Sequence, residues 1–212
     1  MNSPCRILTA ISALAALLAA GCTVAPEKDY PVKQQYVLRA ERAGRAEAAN
    51  IAPNLRVRLF RISSPFSGTQ LAYRRGDVTF ETDFYNEFLA PPASMITAQT
   101  RQWLDSSDVF ASVVDVGSLV DAKYLFEGNV IAIHGDYADE EKPTAVLEIQ
   151  FFLIDDSGAG NTVTFHKTYR KTAPLTSDEP AKLVKGLNTC LSEILKTLEA
   201  DLKTTLGERA KD

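Results

Sequence analysis

The chain has 212 residues, 45% of them apolar and 24% charged, enough to build the core of one ordinary domain without disulfide staples. A formal net charge of −4, with lysine and arginine scattered along the chain, excludes a nucleic-acid surface built on basic patches. No apolar run reaches about 18 residues, which argues against a stable membrane-spanning helix.

The first element is an address. Arg6 precedes a run from Ile7 to Gly21 that only Thr9 and Ser12 interrupt. Its 15 residues would rise about 22 Å as a helix, short of a hydrocarbon core of about 30 Å. That length, with a positive residue in front, fits the apolar region of a signal peptide. The run closes on Leu18-Ala19-Ala20-Gly21-Cys22. Small residues suit a peptidase that binds extended backbone, and a cysteine thiolate just after the cut can carry a diacylglycerol. This boundary resembles the lipobox of bacterial lipoproteins, with Ala19 where leucine is usual and Leu18 one step further out. The alternatives are an ordinary secretory signal with an incidental cysteine, or an N-terminal membrane anchor. The expected organisation is a lipoprotein signal peptide over 1–21, a lipidated N-terminus and tether over 22–35, a domain over 36–206 and a tail over 207–212. Cleavage removes Arg6 and takes the net charge from −4 to −5. Cys5 leaves with the signal and Cys22 takes lipid, so the mature chain has no cysteine pair for an intrachain disulfide. Cys190 lies in an apolar stripe and reads as a buried small hydrophobe rather than a reactive thiol.

The tether "TVAPEKDYPVKQQ" holds two prolines and few large apolar residues. Tyr36-Val37-Leu38 is expected to be a short strand, and 39–50 a polar, alanine-rich loop or marginal helical turn weakened by Gly44. "NLRVRLFRIS" alternates, predicting a half-buried strand with Leu55, Val57, Leu59 and Arg61 on one side and Arg56, Arg58 and Phe60 on the other. "QLAYRRGDVTFETDFY" predicts a hairpin turning at Arg75-Gly76-Asp77. Pro91 and Pro92 suit a helix start, and Ile96, Thr100, Trp103 and Leu104 share one helical face before Ser106-Ser107-Asp108 ends the helix. "VFASVVDVG" returns to strand character, followed by two long β-rich runs, "AKYLFEGNVIAIHGDY" and "TAVLEIQFFLID". "DSGAGN" is a turn, and "TVTFHKTYRKTAPL" alternates again. The last element opens with Ser177, Asp178 and Pro180, and then places Val184, Leu187, Leu191, Ile194, Leu198 and Leu202 three and four apart, an amphipathic helix for packing on a sheet. The fold class is α/β, a mixed sheet covered by helices.

Catalytic and metal signatures do not emerge. His134 and His166 each lie in a β-rich run without a second ligand at metal spacing, and both read as solvated strand histidines. The sequence contains no nucleophile elbow, phosphate loop or zinc-helix motif. Gly158-Ala159-Gly160 is a turn without a following helix, and the acidic stretch 139–142 is a solvated hairpin tip rather than a Ca²⁺ loop. No cofactor is expected.

Several segments together resemble the ABC-type transport auxiliary lipoprotein family, which includes the paraquat-inducible protein C lipoproteins. They are "YVL" after a lipobox and short tether, "LAYRRGDVTFETDFYNEFLAPP", "MITAQTRQWLDSSDVFASVV" and "YLFEGNVIAIHGDY…AVLEIQFFLID". Phe88 stands near the place where the family often has a tryptophan before the proline. The resemblance implies the anticodon-binding-like α/β fold of the TolB N-terminal domain. It also implies a partner, the mammalian-cell-entry (MCE) domain protein of an ABC transporter that moves lipids or other apolar molecules between inner and outer membranes. It carries over no catalytic residue; only Cys22 transfers, as the lipidation site.

The expectation is therefore a non-enzymatic, periplasm-facing lipoprotein, held in the membrane through acyl chains on Cys22, with homo-oligomerisation left open. Thr23, in place of the aspartate associated with inner-membrane retention, points to the outer membrane. The alternative is an outer-membrane lipoprotein that binds and activates a cell-wall synthase or another envelope assembly, and a periplasmic hydrolase without a recognisable motif is the third reading. Arg56, Arg58, Arg74 and Arg75 lie on strands otherwise fit for a core, and are expected either to form a docking rim for an acidic partner or to be plain solvated strand faces.

Overall fold

Strand β7 (Tyr124–Asp136) organises the fold. The computed structural model describes residues 32–44, 51–158 and 160–209; the expected signal peptide, Cys22 and most of the tether lie outside them. Along one edge, β7 pairs antiparallel over its whole length with β8 (Thr144–Asp155), which pairs antiparallel with β9 (Thr162–Pro174). The other edge of β7 is shared in series by three short parallel strands: β2 (Leu55–Val57), β3 (Arg61–Ile62) and β4 (Gln70–Arg74). Beyond β2 lies β6 (Val113–Asp115), and beyond β4 lie β5 (Phe80–Phe88) and β1 (Gln34–Tyr36). The result is a mixed sheet of nine strands whose far edge forks into two branches.

Both helices bury their apolar stripes in the core on one face of this sheet. Helix α1 (Pro92–Ser106) starts and stops where its prolines and serines predict, and buries Ile96, Thr100, Trp103 and Leu104. Asp108 follows with φ 51°, a left-handed conformation that a short polar side chain tolerates. Helix α2 (Pro180–Arg209) spans about 45 Å at about 1.5 Å per residue. Its buried stripe includes all six predicted apolar positions and adds Leu183, Gly186, Cys190, Leu195 and Leu206. Against it stand Ala145, Leu147, Ile149, Phe151 and Leu153 of β8, all inaccessible to solvent or nearly so. Complete burial of each large side chain contributes about 1.5–3 kcal/mol before chain entropy is subtracted. Helix and strand approach closely at Gly186, where a Cβ would sit 2.7 Å from the Cβ of Ala145.

Four expectations need correction. The first strand is Gln34–Tyr36 rather than 36–38, so it takes in the end of the expected tether, and the last helix continues to Arg209, past 206. Residues 39–44 form a loop, the first of the two forms expected for 39–50, which lies as a strap along the helices; residues 45–50 lie outside the described residues. "VFASVVDVG" contributes only the three residues of β6, because Val109 and Phe110 are drawn into the core and Phe110 makes a single bridge to Ala52. The largest difference concerns Leu59 and Phe60. From Val57 to Arg61 the chain advances four residues while its partner advances three, from Phe126 to Asn129. The surplus residue inverts the side-chain alternation. Phe60 turns into the core and is 3% exposed, while Leu59 turns out and is 65% exposed.

Two features hold Phe60 in place. Its amide, outside the strand ladder, donates to Thr97 Oγ1 at 3.0 Å. Its ring lies over Gly128, where a Cβ would approach within 2.7 Å, and packs 5.7 Å from Phe151 and 6.2 Å from Phe126. Phe60→Ala is expected to cost about 3–5 kcal/mol and Gly128→Ala about 1–3 kcal/mol. In the Phe60→Ala background the added Gly128→Ala should cost little, because the new methyl then has space. Denaturant unfolding of the four proteins measures this coupling; additive losses would show that the ring over the glycine does not set the register.

Candidate docking surfaces

The face of the sheet opposite the helices carries the chemistry open to partners. Cross-strand pairs line it: Glu148 with Arg170 at 2.7 Å, Gln150 with His166 at 3.1 Å, and Phe152 stacked on His166 at 4.7 Å between ring centres. Where β2 and β3 meet β7, this face sinks into an open depression of about 580 Å³ lined by Arg58, Leu59, Arg61, Phe152, Ile154 and Val163. Leu59 and Val163 are 65% and 53% exposed there. His166 stands on this face, exposed as expected.

The four arginines divide into two pairs. Arg56 lies beside Leu125 near the start of β7, and Arg74 beside Asp136 at its end. At about 3.3 Å per residue these positions are about 35 Å apart. Each arginine already has an internal partner. Arg56 Nη2 donates to the Val120 carbonyl at 2.8 Å, and Arg58 pairs with Glu127 at 2.7 Å. Arg74 makes a two-pronged contact with Asp136 at 3.0 and 2.6 Å, which holds the Asp136 carboxyl below its usual range. Arg75 pairs with Glu81 at 2.9 Å and lies 4.9 Å above the Tyr137 ring.

His134 is not the solvated histidine expected. It is 6% exposed, because Phe66 stacks on it at 5.6 Å and Phe80 meets it edge-on at 5.3 Å. Its Nδ1 has no hydrogen-bond partner. Burial pushes its pKa down to about 4, against the opposing pull of the Asp136 charge. The alternating strand pattern concealed this, since the cover comes from the loop at Ser64–Phe66 and from β5.

A second constellation escaped the sequence reading altogether. The strap at 39–44 crosses α2, and side chains on the helices capture its amides. Arg39 N donates to Asn188 Oδ1 at 2.9 Å, Ala40 N to Gln99 Oε1 at 2.8 Å, and Glu41 N to Ser192 Oγ at 3.0 Å. At the end of the row, Glu199 accepts from Arg42 at 3.0 and 2.9 Å, from Trp103 Nε1 at 2.8 Å and from Lys203 at 2.7 Å. Burial opposes ionisation of Glu199, but the bonds from Arg42, Lys203 and Trp103 prevail and hold its pKa at about 2. The signal that was present is the polar line Asn188, Ser192, Glu199, spaced four and seven along one helical face.

Cys190 is buried as expected, with its Sγ 3.8 Å from the Ala145 carbonyl, and burial raises its pKa to about 12. Asp139–Lys142 forms the tip between β7 and β8. Among the described residues no group of three or more His, Cys, Asp or Glu is placed to hold a metal, and no helix is long and apolar enough to cross a membrane. Cys22 lies outside the described residues.

A mixed nine-stranded sheet backed by two helices defines an α/β domain, and solved structures share this fold. Protein XCC0632 from Xanthomonas campestris, of the family DUF330, is 15% identical with a TM-score of 0.70, covering 84% of this chain and 98% of that one. An uncharacterized protein is 14% identical with a TM-score of 0.64, covering 81% and 99%. The hypothetical protein CT253 from Chlamydia trachomatis is 7% identical with a TM-score of 0.53, covering 72% and 96%. No curated protein matches. The chain belongs to the ABC-type transport auxiliary lipoprotein component family, whose model matches residues 36–199.

Two pH predictions follow from these sites. His134 has a folded pKa below its ordinary 6.5, so the unfolded chain binds more protons between about pH 6.5 and about 4. Its contribution is present above 6.5 and is lost as pH falls through that window. His134→Phe should flatten the fall of the thermal midpoint between pH 7 and 4; a slope equal to wild type would place the acid sensitivity elsewhere. Glu199 is depressed from 4.5 to about 2, so its contribution is present above 4.5 and is lost as pH falls toward 2. Glu199→Gln should cost about 1–3 kcal/mol at pH 7, at about 2–4 °C of midpoint per kcal/mol, and most of that difference should vanish by pH 2. Paired thermal melts against pH test both.

Proposed function

We propose that this chain is the non-enzymatic, lipid-anchored accessory of an MCE-type ABC transport system, facing the periplasm from the outer membrane and serving the movement of lipids or other apolar molecules between the two membranes. The observation that carries the reading is the family match across 36–199, joined to the Ala-Ala-Gly-Cys boundary at 19–22. The mechanism is tethering. Acyl chains on Cys22 hold one end in the bilayer, where each buried methylene contributes about 0.8 kcal/mol, so one chain binds marginally and two or three anchor firmly. A partner docked on the domain then meets it at a raised local concentration.

Cys22→Ala should abolish acylation and release the protein from membranes. Mass spectrometry of the wild-type N-terminus showing an unmodified cut elsewhere would defeat the lipoprotein anchor, and gradient fractionation with inner-membrane markers would defeat the outer-membrane assignment. Co-purification of the lipidated protein from membranes tests the transporter partner. The arginine rim is best tested at Arg58 and Arg75, whose ion pairs are exposed and contribute little to stability. Arg74 is less exposed, and its reversal would break a two-pronged pair with Asp136. Arg58→Glu or Arg75→Glu should weaken partner association and its salt dependence with a thermal midpoint near wild type; unchanged binding in both removes the rim.

A further inference from the structure

The pairing of β4 with β5 breaks at one place. From Gln70 to Ala72, β4 advances two residues while β5 covers five, between Thr82 and Glu87. The surplus of three residues leaves the ladder with β4 as a bulge within Asp83–Asn86. A partly buried polar network is built beneath it. Asp83 Oδ1 accepts from the amides of Tyr85 and Asn86, both at 2.9 Å. Asp83 Oδ2 accepts from Tyr73 OH at 2.8 Å and Asn86 Nδ2 at 3.0 Å. Tyr36 OH then donates to Asn86 Oδ1 at 3.0 Å. Two strands and β1 thus fix a bulge whose outward side chains are Phe84 and Tyr85, 71% and 41% exposed, with rings in edge contact at 5.0 Å. Lys33 Nζ stands 5.4 Å from the centre of the Phe84 ring. Core packing does not need either ring in this position.

We propose that the Phe84–Tyr85 bulge is a bilayer contact, which sets these rings among the headgroups of the membrane that carries the chain's own lipid anchor. The occupant follows from where the chain enters the domain. Gln34 pairs with Asn86, so β1 begins beside the bulge. Cys22 is 11 residues before Lys33, a span of at most about 40 Å when extended. An acyl anchor at Cys22 therefore keeps this corner of the domain within that reach of the bilayer. An apolar ring, an amphipathic ring and an ammonium group make the combination that settles at a membrane interface, rings at headgroup level and amine toward phosphate. Of the nearby carboxylates, Glu87 lies 3.7 Å from Lys33 Nζ, Glu81 is paired with Arg75, and Asp83 is engaged by hydrogen bonds from Tyr73, Tyr85 and Asn86 beneath the bulge. Two rings bury too little surface to recruit a protein from solution. Beside an anchor already in the membrane they need only orient the domain, since the contact is then intramolecular. The inference rests on the acylation of Cys22 in the proposed function.

The test uses the acylated full-length mature protein in vesicles of phosphatidylethanolamine and phosphatidylglycerol, with and without lipid brominated on its acyl chains. Phe84→Trp reports on the bulge, and Val163→Trp, exposed on β9, is the control. The native Trp103 is buried and gives a background read from wild type. The indole introduced at 84 should shift to shorter wavelength and lose emission to brominated lipid, while that at 163 should not. Acylated, vesicle-bound protein with an unquenched probe at 84 overturns the bilayer contact and leaves the anchor intact. Mass spectrometry showing no acyl group on Cys22 removes the anchor, and the contact with it. Shielding at 84 that needs only a higher protein concentration without vesicles assigns the bulge to a second copy, and shielding that needs an added transporter subunit assigns it to a protein partner; either overturns the proposal.

Discussion

The register of β7 is the constraint on which the rest of the molecule depends. Four strands pair with it directly: β8 along one edge, and β2, β3 and β4 in series along the other. The others reach it through these. A strand shared in this way must keep its inward residues on the helix face while its short partners join it at different heights. Two irregularities absorb the mismatch. One is the surplus residue between β2 and β3 that drops Phe60 over Gly128; the other is the shift in β7 itself between Val130 and Ala132. Bulges of this kind raise local twist and curl the sheet around its helices.

The elements legible in the sequence were those whose signal is local. The proline start and apolar face of α1, the six-position stripe of α2, the hairpin at Gly76 and the long pair β7–β8 all follow from period and turn chemistry. What was illegible depends on distant chain. Strict alternation through "NLRVRLFRIS" put Leu59 inside, because nothing in those ten residues reports that β7 is one residue shorter there. His134 sits on a strand face that alternation assigns to solvent, and only Phe66 and Phe80, from elsewhere in the chain, cover it. The four arginines share a residue type and a strand setting, but the parallel pairing of β2 and β4 to opposite ends of β7 separates them into two pairs.

The same distinction applies to the candidate surfaces. The helix face of the sheet is filled and dry, with Leu147, Ile149, Phe151 and Leu153 at 1% exposure or less. Its opposite face is a lattice of side-chain pairs, such as Glu148 with Arg170 and Gln150 with His166, broken by a few exposed apolar groups. Exposed ion pairs contribute little to stability, so their arrangement costs little to change and leaves the face free to be shaped by a partner. Polar pairs surrounding isolated apolar contacts are also what the rim and centre of a transient protein interface are made of. A face of this kind suits a partner that binds and releases better than a sealed apolar face does.

The N-terminal segment is attached to the domain in a defined order. A load applied through residue 33 reaches the β1–β5 ladder at Gln34–Tyr36 first. It passes next to the amides of Arg39, Ala40 and Glu41, held by Asn188, Gln99 and Ser192, and only then to the Arg42–Glu199 pair. The first attachment lies beside the Phe84–Tyr85 bulge, and the last lies on α2 against Trp103 of α1. Three strand residues alone would fray, because an edge strand of that length has few hydrogen bonds and little buried surface. The strap removes that weakness by fixing the segment again after Leu38, which is 3% exposed and belongs to the core. From Gln34 to Arg42 the segment is thus attached at each step to the sheet or to the helices. The segment is thereby joined to β5 at one end and to both helices at the other, which leaves the opposite face of the sheet clear of it.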